Sequence, residues 1–74
     1  MITEIGIVAG EIWHYLENNG KQAALENVVS NIDKPRDIVL MSIGWLAREG
    51  HVVLKGEAPN HEISLRVKKG GENG

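Results

Sequence analysis

The order of the hydrophobic patterns constrains the fold of this chain more than any other feature. Three stretches repeat apolar residues at spacings of three and four, as helices that bury one side do. Two short stretches with strand character follow them. In chain order, the helical and strand stretches are residues 3–18, 23–32, 35–49, 51–55 and 61–67. The last of these alternates, with Ile63, Leu65 and Val67 on one face and Ser64 and Arg66 on the other. The sequence therefore predicts three helices followed by a β-hairpin.

Three helices followed by a hairpin is the order of a winged helix-turn-helix, an α+β fold in which the two-stranded hairpin is the wing. The competing fold is a three-helix bundle with a flexible tail, but such a tail has no reason to alternate along residues 61–67. A chain of 74 residues has room for one domain. We expect that domain to cover residues 1–68 and the polar, glycine-rich residues 69–74 to be disordered.

Composition narrows the cellular setting and the partners. The sequence has no cysteine, which excludes disulfides and thiolate metal sites and fits a cytoplasmic protein. We find no signal peptide and no apolar stretch long enough to span a membrane, so no membrane partner is expected. The formal net charge of −2 gives no overall electrostatic help to nucleic-acid binding.

No group of residues in the sequence has the spacing of a catalytic or metal site. His14, His51 and His61 lie on different predicted elements, whereas zinc sites favour closely spaced ligands. None of the serines has the strand-to-helix setting of a hydrolase nucleophile. We therefore predict that the chain is not an enzyme, and we expect no cofactor, no metal and no small-molecule ligand.

One segment resembles a known family. Residues 44–49, Gly-Trp-Leu-Ala-Arg-Glu, resemble the signature of a family of very small prokaryotic winged helix-turn-helix proteins of unknown function. Residues 9–16 are similar to the first helix of that family. The resemblance implies a winged-helix fold and a DNA-binding ancestry, and it implies no characterised activity.

The fold places one set of basic residues where DNA would lie. The third helix of a winged helix usually enters the major groove by its amino-terminal half, and the wing contacts the flanking backbone. Lys34 and Arg36 lie at the start of the third helix, and Lys55, Arg66 and Lys68 lie on the wing. These five residues are the candidate DNA contacts. The alternative for each is an ordinary solvated surface charge.

The third helix is more apolar than one buried stripe requires. The side that faces the core is predicted to hold Val39, Ser42, Ile43 and Leu46. The side that faces outward is then predicted to hold Ile38, Met41, Trp45 and Arg48. A helix that reads base edges needs hydrogen-bonding side chains there, whereas an apolar patch with a tryptophan is typical of a protein interface. The alternative is that Trp45 lies in the core under the wing.

Two functions remain open from the sequence. The first is a DNA-binding module of the transcription-regulator type, acting as a homodimer. The alternative is a protein-interaction or dimerisation module that uses the apolar third helix and binds no DNA. A second copy of the chain would cover the surplus apolar residues, and two-fold dimers are the commonest oligomers.

Overall fold

The computed structural model describes residues 2–58 and 60–66. The elements in chain order are α1 (Ile2–Glu17), β1 (Gln22–Ala24), α2 (Leu25–Asn31), α3 (Arg36–Arg48), β2 (Val52–Lys55) and β3 (Glu62–Leu65). The three predicted helices and the two hairpin strands are confirmed. Residue 67, Lys68 and the predicted disordered tail 69–74 lie outside the described residues.

The sheet has three antiparallel strands in the order β1-β3-β2, so β3 lies in the centre. The predicted α+β architecture is confirmed, but the sheet is three-stranded rather than two-stranded. Gln22 pairs with Ser64, and Ala24 pairs with Glu62. The sequence did not indicate β1, because Gln-Ala-Ala has little strand character and alanine favours helices. Residues 23–24, predicted as the start of the second helix, form this strand instead.

The central position of β3 explains a second difference from the sequence prediction. Ser64 was expected on the polar face of its strand, yet only 9% of its surface is exposed. Strands pair with β3 on both sides, and the Ser64 hydroxyl lies 3.5 Å from Oε1 of Gln22 on β1. Its neighbour Ile63 is fully buried in the core.

The core lies between α1, α3 and the sheet, with α2 closing one end. Val8, Ile12 and Leu16 line the inner side of α1 at helical spacing, and all three are fully buried. Trp13 is adjacent to Ile12 in sequence but lies at the edge of this stripe, where it is 37% exposed. None of the helices in residues 2–58 is long and apolar enough to cross a membrane.

Two glycines set the path of the chain around the hairpin. Gly50 has a φ of 80° and follows the end of α3, where the left-handed conformation favours glycine. Gly56 has a φ of 86°, and a Cβ added there would lie 2.5 Å from the carbonyl oxygen of Asn60. The turn between β2 and β3 therefore requires a residue without a side chain at position 56.

Candidate functional site

The buried side of α3 holds five residues, one more than the sequence predicts. They are Ile38, Val39, Ser42, Ile43 and Leu46. The Ser42 hydroxyl donates a hydrogen bond of 2.7 Å to the carbonyl oxygen of Ile38, so this polar group in the core is satisfied.

The prediction that Ile38 points outward is wrong. Ile38 is 8% exposed and belongs to the hydrophobic core. It lies one turn before the buried Ser42 and two turns before the buried Leu46, so it extends the buried side of α3 to the start of the helix. In the folded chain Ile38 is not available for an interface.

The opposite side of α3 carries an exposed apolar patch between two charged residues. We define the α3 outward face as the exposed residues Asp37, Leu40, Met41, Gly44, Trp45 and Arg48. Met41 is 42% exposed and Trp45 is 44% exposed. A Cβ added at Gly44 would meet no atom within 4 Å, so this residue forms an open notch in the helix surface. Met41, Trp45 and Arg48 are thus exposed as the sequence predicts, and the alternative that Trp45 lies in the core is wrong.

An apolar groove continues from the α3 outward face onto α1. It has a volume of about 410 Å³. Its walls are formed by Gly6, Ala9, Gly10, Trp13, Trp45, Leu46 and His51. The rings of Trp45 and His51 lie 6.3 Å apart between centroids at an angle of 33°. The exposed apolar surface thus joins α3 to the two glycines and the tryptophan of α1.

The two basic residues at the start of α3 are paired with carboxylates of the same chain. The Lys34 amine donates to both carboxylate oxygens of Glu11 on α1, at 3.0 and 3.2 Å. The Arg36 guanidinium donates to both oxygens of Glu26 on α2, at 3.3 and 3.4 Å. All four side chains are partly exposed, so each pair contributes little to stability. The pairing nevertheless removes much of the positive potential at this end of α3.

The structure separates the candidate DNA contacts on the wing. Lys55 ends β2 and stands opposite Glu62 in the strand register. Arg66 follows β3, and its backbone N–H donates to the carbonyl oxygen of His51 at the other end of the hairpin. Four register steps lie between these two basic residues, which is roughly 13 Å along the strands. Lys68 lies outside the described residues, so the structure shows two of the three wing candidates, Lys55 and Arg66, at opposite ends of the hairpin.

The described residues bring no metal-binding group together. No set of three or more histidine, aspartate and glutamate side chains within residues 2–58 and 60–66 could hold a metal ion. His14 lies on α1, His51 precedes β2 and His61 precedes β3. The three histidines therefore lie on separate parts of the fold, as their positions in the sequence predict.

A comparison with family models identifies the fold. The model described as "Winged helix-turn-helix domain (DUF2582)" matches residues 1–66. The chain belongs to this family. The winged helix-turn-helix predicted from the sequence and the family resemblance are both confirmed. Domains of this winged helix-turn-helix type are typically non-enzymatic.

One curated relative of this winged helix-turn-helix chain has a similar length. It is the uncharacterized protein MJ1608 of Methanocaldococcus jannaschii, which is 41% identical over 64 residues. The match covers 85% of this chain and 91% of the relative. No solved structure matches the chain.

Sequence reasoning missed three members of the α3 outward face: Asp37, Leu40 and Gly44. The available signal is the spacing of four, three and four residues from Asp37 through Met41 and Gly44 to Arg48. That spacing places four residues along one line of a helix.

Proposed function

We propose that this winged-helix domain is a protein-interaction module, and that the α3 outward face contacts protein rather than DNA bases. The observation that carries the proposal is the exposure of Met41 and Trp45, at 42% and 44%, on the helix that reads the groove in DNA-binding winged helices. Methionine and leucine cannot hydrogen-bond to base edges. Tryptophan and methionine are enriched in protein interfaces, and tryptophan is a frequent hot-spot residue.

The charges around α3 support the same proposal. Asp37 lies on the outward face in the first turn, where a DNA-reading helix would approach the phosphates. A carboxylate at that position repels DNA. Lys34 and Arg36, which would have to offset it, are held by Glu11 and Glu26. Binding to phosphate would first have to break those two ion pairs.

The second candidate function is DNA binding by a dimeric regulator, and the family description favours it. In that case Lys55, Arg66 and Lys68 contact phosphates from the wing. Lys34 and Arg36 exchange their carboxylate partners for phosphates at the start of α3. Lys34 and Arg36 can leave Glu11 and Glu26 without a steric barrier, because both ion pairs are solvent-accessible.

A DNA titration with one charge placed on α3 separates these functions. We expect the wild-type chain, tested by fluorescence anisotropy against duplexes selected from a random pool, to bind no tighter than roughly 10⁻⁶ M at physiological salt. Met41→Glu should leave that affinity unchanged, because α3 does not touch the DNA. Ile7→Glu is the matched control, since Ile7 is an exposed apolar residue on α1.

Specific DNA binding through α3 would give a different result in the same titration. A selected duplex bound at roughly 10⁻⁸ M would be specific binding. If Met41→Glu abolished that binding while Ile7→Glu kept it, α3 would be reading the groove and the proposed function would be wrong.

A further inference from the structure

We infer that the α3 outward face binds a second copy of this chain, with the two α3 helices antiparallel and Asp37 of each copy against Arg48 of the other. This inference rests on the proposed function, because it names the partner of the same surface. It follows from the order of charged, large and small residues along α3.

Four residues of the α3 outward face form a straight seam. Asp37, Met41, Gly44 and Arg48 follow one another at spacings of four, three and four, as the contact positions of paired helices do. Asp37 and Arg48 close the two ends of the seam and are eleven residues apart. At the rise of an α-helix this separation is about 16 Å, or three turns.

The seam is complementary to itself when it is reversed. An antiparallel pair of α3 helices centred between positions 42 and 43 places Asp37 opposite Arg48 at both ends. It also places Met41 opposite Gly44 twice, so that a long side chain meets the open notch of the other helix. The two-fold axis of the antiparallel pair is perpendicular to both helices, so a side chain on one flank of the seam lies on the same flank in the second copy. Met41 and Trp45 share one flank, and each Met41 therefore also reaches Trp45 of the second copy.

A parallel pair lacks this complementarity. It would place Asp37 against Asp37 and Arg48 against Arg48, and like charges facing each other across an interface are costly. It would also leave the two Gly44 notches facing each other with no side chain to fill them. The order of residues along α3 therefore selects the antiparallel arrangement.

The charges at the ends of the seam are free to pair between copies. The ion pairs within the described residues are Lys34–Glu11 and Arg36–Glu26, and neither includes Asp37 or Arg48. One carboxylate oxygen of Asp37 accepts a hydrogen bond of 2.9 Å from the backbone N–H of Ile38, which leaves the second oxygen for a partner. The neighbouring basic residues are occupied, whereas Asp37 and Arg48 have no ion-pair partner among the residues described.

Charge reversal followed by mixing tests the arrangement. Asp37→Arg should dissociate the dimer, because it creates two contacts between arginines, and Arg48→Asp should do so through two contacts between aspartates. Each dissociation constant should rise roughly tenfold or more.

An equimolar mixture of the two variants should form a heterodimer. The first variant has a basic side chain at both ends of its seam and the second has an acidic one at both ends, so opposite charges meet at each end of the mixed pair. Native mass spectrometry separates the heterodimer from both homodimers.

Two controls keep the test decisive. Glu17→Arg makes a charge change of the same size and sign as Asp37→Arg at an exposed position of α1 and should remain dimeric. Circular dichroism checks the fold of each variant, since both reversals oppose the helix dipole. If either reversal unfolds the chain, Asp37→Asn and Arg48→Gln replace them, and each should weaken the dimer by a smaller factor.

Three outcomes would overturn the inference. A monomeric wild type at high concentration would exclude the second copy, while the DNA titration would still decide the proposed function. Single variants that dimerise as well as the wild type would show that Asp37 and Arg48 do not meet. Monomeric single variants that form no heterodimer on mixing would exclude the antiparallel register.

Discussion

Ile12→Ala should lower the free energy of unfolding by about 2–5 kcal/mol. Ile12 is fully buried at the middle of α1, within the core cluster that α1 forms with α3 and the sheet. Removing its side chain loses apolar burial and leaves a cavity that the surrounding residues fill only in part. Because domains of this size have only about 5–10 kcal/mol of stability in total, the variant should be largely unfolded in moderate denaturant.

Urea unfolding followed by circular dichroism at a fixed protein concentration measures this loss. Ile7→Ala is the matched control, since it makes the same change on the same helix at a side chain that is 57% exposed. The control should change the free energy of unfolding by no more than about 0.5 kcal/mol. Equal losses for the two variants would show that α1 buries a different side from the one described.

Met41→Glu should separate the two copies, with a dissociation constant roughly a hundred times that of the wild type or more. The new carboxylate would have to enter the notch at Gly44 and lie beside the apolar ring of Trp45 of the second copy, while Arg48 of that copy is paired with Asp37. The folded monomer should tolerate the change, because Met41 is 42% exposed and makes no contribution to the buried side of α3.

The concentration dependence of the melting temperature reports this dissociation. A dimer melts at a higher temperature as the protein concentration rises, whereas a monomer does not. The wild type should show that dependence, and Met41→Glu should lose it. Ile7→Glu, which places the same charge on an apolar residue of α1 that is 57% exposed, should keep it. If the melting temperature rises equally with protein concentration for all three proteins, the dimer interface does not include Met41.

The sequence predicted the helices and the buried side of α3 because their apolar residues recur at a regular spacing. Val39, Ser42, Ile43 and Leu46 could be placed on one side from that spacing alone. Ile38 could not, because the width of a buried stripe depends on how closely α1 and the sheet cover α3. That closeness is a property of the packed structure, not of one helix.

The strand β1 was beyond sequence reasoning for a different reason. Gln22–Ala24 is three residues long and holds two alanines, so neither alternation nor strand propensity distinguishes it from the start of α2. Lys21, with a φ of 70°, turns the chain so that this segment meets the exposed edge of β3. The position of β1 is set by its pairing with β3 rather than by its own side chains, so its sequence shows no strand pattern.

The candidate surface was predicted in part. The sequence indicated that Met41, Trp45 and Arg48 share one side of α3, since their spacings of three and four are read directly from the chain. It did not show that Lys34 and Arg36 are paired with Glu11 and Glu26, because those carboxylates come from α1 and α2. That pairing weakens the case for DNA at α3, and it became evident only once the helices were packed together.

Sedimentation equilibrium of the wild type, Trp45→Ala and Ile7→Ala tests the central claim most directly. Both residues are exposed, but Trp45 lines the groove between α1 and α3 whereas Ile7 lies on α1 outside it. If the α3 outward face is the interface, the wild type and Ile7→Ala should sediment as dimers, and Trp45→Ala should sediment as a monomer. A wild type that remains monomeric at every concentration, or a Trp45→Ala variant that remains as dimeric as the wild type, would contradict the claim.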